Sequence, residues 1–181
     1  TSLLINFQEF TFLVSDEIRL VMKSVSIFVD VQNVYYTVKQ EYGRNFNYKA
    51  FWDKVTKGRR VVSAIAYAVA RGDEKQESFQ NILRKIGFEV KLKPYISRAD
   101  GSSKGDWDVG IAIDVLDHAA HSDIIVLVSG DGDFALLLNN VSSKFPIECE
   151  VYGVPSLTAH ALIKEASRFI PIDEKYLLPK I

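Results

Sequence analysis

The sequence predicts an α/β fold, a three-layer α/β/α arrangement with a mostly parallel sheet. Three observations carry that expectation. Short β-type runs alternate along the chain with segments of helical periodicity, and parallel strands separated in this way need right-handed crossovers that place helices on both faces of the sheet. The run DIIVLVSG is apolar without alternation, as in a strand buried on both faces. The chain has 181 residues, 48% of them hydrophobic, and no internal repeat or linker, which suits one domain able to bury its own core.

Residues 1–22 read as an N-terminal extension of undetermined structure, and 23–181 as the single domain; Met22, the only methionine, stands directly before the first strand run. SIFVDV is that strand, closing on Asp30 before the polar pair Gln32 and Asn33. VYYTVKQEYG reads as a helix stopped by Gly43 and YKAFWDKVTKG as a second stopped by Gly58. RVVSAIAYAVA is a strand. Asp73 caps a helix running to Ile86, in which Phe79, Ile82, Leu83 and Ile86 recur at helical spacing. FEVKLKPYI alternates like a strand with one wet face, and SRADGSSKG is a loop. Asp106 to Ala120 forms a helix with Val109, Ile113 and Leu116 on one stripe. DIIVLVSG, the helix DFALLLNNVSSK, the strand IECEVYGV and the helix LTAHALIKEASRF complete the order, leading to the short FIPI.

Composition removes several classes of function. No apolar run is long enough to span a bilayer, so no membrane partner is expected. One cysteine, Cys149, permits no internal disulfide and suits a reducing cytoplasm. Neither a Walker A loop nor G-x-G-x-x-G follows a strand, and no G-x-S-x-G is present. The two glycines of SGDGDF suit a tight strand-to-helix turn better than a nucleotide cradle. His118 and His121 stand three apart near a helix end without a third zinc ligand in view, an ordinary place for histidine.

The acids are distributed unevenly. Between Ala99 and Ser143 there are eight aspartates, no glutamate and one basic residue. Asp30 closes the first strand, Asp131 and Asp133 follow the strand IIVLV, and Asp106 with Asp108 opens a helix, so all five face the carboxyl edge of the sheet, where α/β proteins bind ligands. Taken singly, Asp106, Asp108, Asp131 and Asp133 are each explicable as helix caps, Asp123 as a turn residue and Asp117 as a solvated helix position. Asp30, at the end of a buried central strand, has few structural duties. Together they repel one another unless a cation intervenes, and a site of hard oxygen donors favours Mg²⁺ or Mn²⁺ over zinc.

A complementary basic stretch runs from Lys54 to Lys104, with twelve Lys or Arg against five acids. Acids bordered by cations suit a phosphodiester substrate. Arg71 and Lys104 stand best for phosphate contact, whereas Lys54, Lys75 and Lys85 read as solvated helix faces. Tyr36 is a candidate base-stacking residue; Tyr35 and Trp107 are equally explicable as core.

FVDVQN at Phe28 to Asn33, KGDWDVGIAID at Lys104 to Asp114 and VSGDGDF at Val128 to Phe134 together resemble the signature blocks of the NYN domain family. Within it they are similar to the LabA-like (formerly DUF88) branch of the PIN-like nuclease superfamily. The likeness covers roughly residues 23 to 173. It implies a Mg²⁺- or Mn²⁺-dependent ribonuclease site in which Asp30, Asp108, Asp131, Asp133 and Asn33 are catalytic and Asp106 is an additional metal-facing acid. It also places Ser129 in the block that meets RNA, and products with 5′-phosphate and 3′-hydroxyl ends. Asp114 matches a recurrent acid, yet it lies six residues from Asp108, about 600° of helical rotation and so roughly 120° off that face.

RNA is the expected partner; whether a homodimer forms is not legible in the sequence. The alternative is a non-catalytic RNA-binding or regulatory module that keeps the acidic pocket. A phosphatase or phosphoacceptor reading fails on the position two after Asp30, which is Gln32 rather than a second acid, and on the single acid ending SIFVD.

Overall fold

The computed structural model describes residues 22–70, 72–94, 96–97, 103–104 and 106–180. Strand β1 (Ser24–Asp30) leads into helices α1 (Val31–Tyr42) and α2 (Tyr48–Thr56), then β2 (Arg60–Ala70), α3 (Glu74–Ile86) and β3 (Glu89–Pro94). Two short strands, β4 (Ile96–Ser97) and β5 (Ser103–Lys104), precede α4 (Asp108–Ala119), β6 (Ile124–Val128), α5 (Phe134–Lys144), β7 (Glu148–Gly153), α6 (His160–Glu165) and β8 (Arg168–Pro171). Six strands form one sheet in the order β3-β2-β1-β6-β7-β8, and every pairing in it is parallel.

The chain builds outward from β1 to β3, then crosses back to lay β6 on the other side of β1. Strand order therefore reverses between β1 and β6, and a crevice opens there at the carboxyl ends. β1 and β6 pair with Val29 against Val128, which brings the ends of both strands to the same level.

Two apolar layers fill the space between sheet and helices. One packs Val34, Val38, Phe51, Val55 and Leu83 from α1, α2 and α3 against Val25, Ile27, Val29 and Val126. The other packs Ile111 and Val115 of α4 and Leu138 and Val141 of α5 against Phe28, Ile125, Leu127 and Val151. Asp73 caps α3 by accepting from the Gln76 amide at 2.8 Å, and Gly43 ends α1 at φ 63°. Asp123 accepts from the amide and the hydroxyl of Ser24 at 2.7 and 2.8 Å, tying the start of β1 to that of β6.

Three expectations are corrected. On α4 the buried residues are Ile111, Val115 and Ala119, while Val109, Ile113 and Leu116 are exposed. This helix is apolar on more than one face, so periodicity cannot choose between stripes; the docking of Trp107, described below, does. Within the expected loop SRADGSSKG, Ser97 and Ser103 pair in an antiparallel ribbon of β4 with β5. The last helix spans only His160–Glu165, because Arg168 to Pro171 leave it to pair with β7 as an edge strand. The expected extension, residues 1–21, lies outside the described residues.

Besides Asp30 at the end of β1, the parallel sheet holds a second buried acid. Glu150 on β7 is buried and accepts both arms of the Arg59 guanidinium at 2.8 and 2.9 Å, with Arg168 at 3.4 Å on the solvent side. A buried charge is tolerated only when paired. Arg59→Ala should cost about 3 kcal/mol in urea unfolding, and the double change Arg59→Met with Glu150→Gln should recover most of it. A loss of under about 0.5 kcal/mol, the value typical of an exposed pair, would refute a structural role for this bridge.

Candidate functional site

Asp30 ends β1 and is the N-cap of α1. Its carboxylate accepts from the Asn33 amide at 3.1 Å and from the Ser129 hydroxyl at 3.3 Å. The Ser129 oxygen in turn accepts from the Asp131 amide at 3.2 Å, and the Asp131 carboxylate accepts from the Asp133 amide at 3.0 Å. The Asn33 side-chain oxygen accepts from the Gly130 amide at 2.9 Å. The end of β1, the first turn of α1 and the loop after β6 are thus one hydrogen-bonded unit.

That loop is also wedged from above. A Cβ on Gly130 would stand 2.6 Å from the Leu157 carbonyl oxygen, and the Gly130 carbonyl accepts from the Ala159 amide at 2.9 Å. Neither Gly130 nor Gly132 has positive φ, so the turn makes no conformational demand for glycine. The glycines are there for close approach of residues 157–159, a different reason from the tight turn expected of SGDGDF.

Asp106 and Asp108 are positioned by the residue between them. The Trp107 indole donates to the Ala68 carbonyl at 2.8 Å, its ring lies 5.3 Å from Tyr67, and Lys93 sits over it at 4.5 Å. Gly110 lets the ring fold back over the helix start, since a Cβ there would meet it at 2.6 Å. Pinned to the end of β2, Trp107 carries one acid on either side to the sheet edge. It is a structural residue, not a base-stacking one.

Charge is concentrated here without neutralisation. The Asp108 carboxyl is pushed up to about 6, first by burial and then by Asp131, Asp106, Asp30 and Asp133. Asp30 is also raised, chiefly by burial, with Asp131 and Asp106 adding and the two hydrogen bonds opposing. Among the described residues none of these five side chains forms an ion pair. Asp114 lies apart: it accepts from Tyr67 at 2.6 Å and Lys91 at 2.7 Å, and these contacts outweigh burial and lower its pKa.

In kind, then, the donors fit a hard divalent cation, being several carboxylates without an ion-pair partner among the described residues, although the Lys93 ammonium donates to the Asp106 carbonyl at 2.8 Å. In spacing they are not closed. Among the described residues no three Asp, Glu, His or Cys side chains stand as a group able to hold a metal ion.

The expected RNA contacts fare unevenly. Ser129 is 1% exposed, with its hydroxyl engaged by Asp30 and the Asp131 amide, so it holds the loop. Asn33 braces Gly130. Tyr36 and Tyr35 are 51% and 53% exposed with ring centroids 5.4 Å apart, so Tyr35 is not core. Arg71 lies outside the described residues, and Lys104 is described only as part of β5. Of the basic stretch, Arg59 and Lys91 are taken up by Glu150 and Asp114. Sequence reasoning missed Tyr48 and Gln80, which line a groove opening beside Asp30; each looks like an ordinary helix residue, and no local motif marks them.

Comparison with known proteins places this geometry in context. The NYN domain model matches residues 24–173. The low amplitude and bright protein LabA of Synechococcus elongatus is 26% identical over 162 residues, covering 83% of this chain and 84% of LabA. The crystal structure of VPA0982, a protein of unknown function from Vibrio parahaemolyticus, is 52% identical with a TM-score of 0.83, covering 87% of this chain and 97% of that one.

The raised Asp108 pKa has a consequence for stability. Well below the ordinary Asp pKa of about 3.9, the carboxyl is protonated in folded and unfolded chains alike and carries no penalty. The penalty grows as pH rises toward 6, where only the unfolded chain has ionised freely, and is complete above that. In metal-free buffer Asp108→Asn should therefore stabilise the protein at pH 7.5, by about 1 kcal/mol after screening at this partly exposed position, and the gain should shrink steadily as pH falls through the ordinary Asp pKa of about 3.9. Equal melting temperatures for the two proteins at pH 7.5 would contradict it.

Proposed function

The chain belongs to the NYN domain family, within the PIN-like nuclease superfamily, and from that premise we propose that it is a metal-dependent ribonuclease cutting RNA phosphodiester bonds. The observation that carries the proposal is the set of five aspartates from three separate segments, electrostatically coupled at the sheet switch point, with none of their side chains in an ion pair among the described residues.

Asp30, Asp108 and Asp131 would hold Mg²⁺ or Mn²⁺, with Asp133 and Asp106 beside them. A divalent ion in such a site supplies a nucleophile at neutral pH and offsets charge on the departing oxygen. The residues of this chain do the placing. Ser129 and the Asn33 amide fix the Asp30 carboxylate, the Asn33 side chain fixes the loop that carries Asp131 and Asp133, and Trp107 fixes Asp106 and Asp108. RNA would approach along the carboxyl edge of the sheet, where Tyr35, Tyr36 and Lys39 are exposed on α1.

The specific counter-reading is a binding module that leaves RNA intact. It draws on the lack of a closed three-ligand group among the described residues. Asp30→Asn and Asp131→Asn should each reduce Mn²⁺-dependent cleavage of a labelled single-stranded RNA at least a hundredfold while leaving circular dichroism spectra unchanged. Wild-type protein that binds the same RNA and never cuts it with either ion would establish the binding module instead.

A further inference from the structure

Between α1 and α3, against the ends of β1 and β2, lies a groove of about 710 Å³. That is within the range of small-ligand sites, roughly 300–1,000 Å³. Val31 and Gln32, the residues directly after Asp30, form part of its wall, so the groove and the acidic cluster meet at the end of β1.

Two of its lining side chains are anomalous. Gln80 is 7% exposed and Tyr48 is 8% exposed, yet neither the carboxamide nor the hydroxyl makes a hydrogen bond among the described residues. Burying such groups without partners is costly. Among the described residues no unpartnered polar side-chain atom is sealed from solvent, so both groups open into the groove. Burial, reinforced by the negative charge of Asp30, holds the Tyr48 phenol well above its ordinary pKa, which keeps it a neutral donor. Around these polar points the walls are aromatic and apolar, with Phe79, Ala68 and Val69, and the rim carries Tyr35, Lys39 and Lys75.

We propose that this groove is a nucleobase subsite: it takes the unstacked base of the nucleotide next to the scissile phosphate, with Gln80 and Tyr48 hydrogen-bonding the base edge. A carboxamide offers a donor and an acceptor side by side, as a base edge requires. The Tyr35 face adds stacking that tolerates any base, and Lys39 and Lys75 meet flanking phosphates. Duplex RNA cannot enter, because the base must leave its partner to reach Gln80. The subsite rests on the ribonuclease reading and gives that site a preference among single-stranded sequences.

The test is fluorescence anisotropy in EDTA with 5′-labelled rA6, rC6 and rU6. Wild-type protein should rank the three with at least a fivefold spread. Gln80→Met should erase the ranking by weakening the best probe fivefold or more, and its melting temperature should stay level or rise, since an unpartnered polar group has been removed. Tyr35→Ser, an exposed change with no folding risk, should weaken all three probes severalfold and keep their order. Wild type binding all three alike, or Gln80→Met keeping the ranking and affinity, overturns the subsite and leaves cleavage at the acids standing. Wild type that neither binds nor cuts any RNA overturns the ribonuclease reading as well.

Discussion

Mutual repulsion among Asp30, Asp106, Asp108, Asp131 and Asp133 is the constraint around which the carboxyl edge of the sheet is arranged. Left to themselves, five carboxylates on flexible segments would separate. Each segment is instead held by contacts that do not involve its own charge. The Asp131–Asp133 loop is clamped by residues 157–159 above and by Asn33 beside it, and the Asp106–Asp108 turn is held by an indole lodged on β2. Asp131 and Asp30 are also restrained through their carboxylates, Asp131 by the Asp133 amide and Asp30 by the first turn of α1, where a helix N-terminus favours negative charge by about 0.3–1 kcal/mol.

The restraints come from opposite faces of the molecule. Asn33 belongs to the helical layer packed on one side of the sheet and the 129–133 loop leads into the layer on the other. Their hydrogen bond crosses the switch point between β1 and β6. A perturbation of either layer would therefore reach the acids through few intermediates, and the glycine at 130 is a place where the tolerance is small. An added methyl there meets a backbone carbonyl, which cannot rotate away as a side chain would.

Much of this was legible in the residue string, and what was not had physical causes. The order of elements and the convergence of Asp30 with Asp131 follow from strand and helix periodicity and from where the strands end, because backbone topology alone brings those positions to one edge. The facing of α4 was not legible: its apolar residues offer two equivalent stripes, and the choice depends on Trp107 finding Tyr67 and Ala68, a contact nearly forty residues distant. Ser129 shows the limit of reading a motif as a set of ligand contacts. In S-G-D-x-D-F every polar residue resembles a substrate contact, yet the serine is consumed internally. The partners of Lys91 and Arg59 were likewise out of reach, since their acids lie 23 and 91 residues away.

Asp30 has two neighbourhoods. On the α4 and α5 side it meets like charges, which disfavour its ionised form; on the other side lies the groove lined by Tyr48, whose phenol feels the Asp30 charge. A strand end in the middle of a doubly wound sheet is well suited to this, because the chain leaves it in one direction while the reversed strand order opens the other. On the proposed reading, the acids would act on the phosphodiester while discrimination would be built from helix residues that do not disturb them. Loss of discrimination and loss of chemistry become separable by substitution, which a site that read bases through its own carboxylates would not allow.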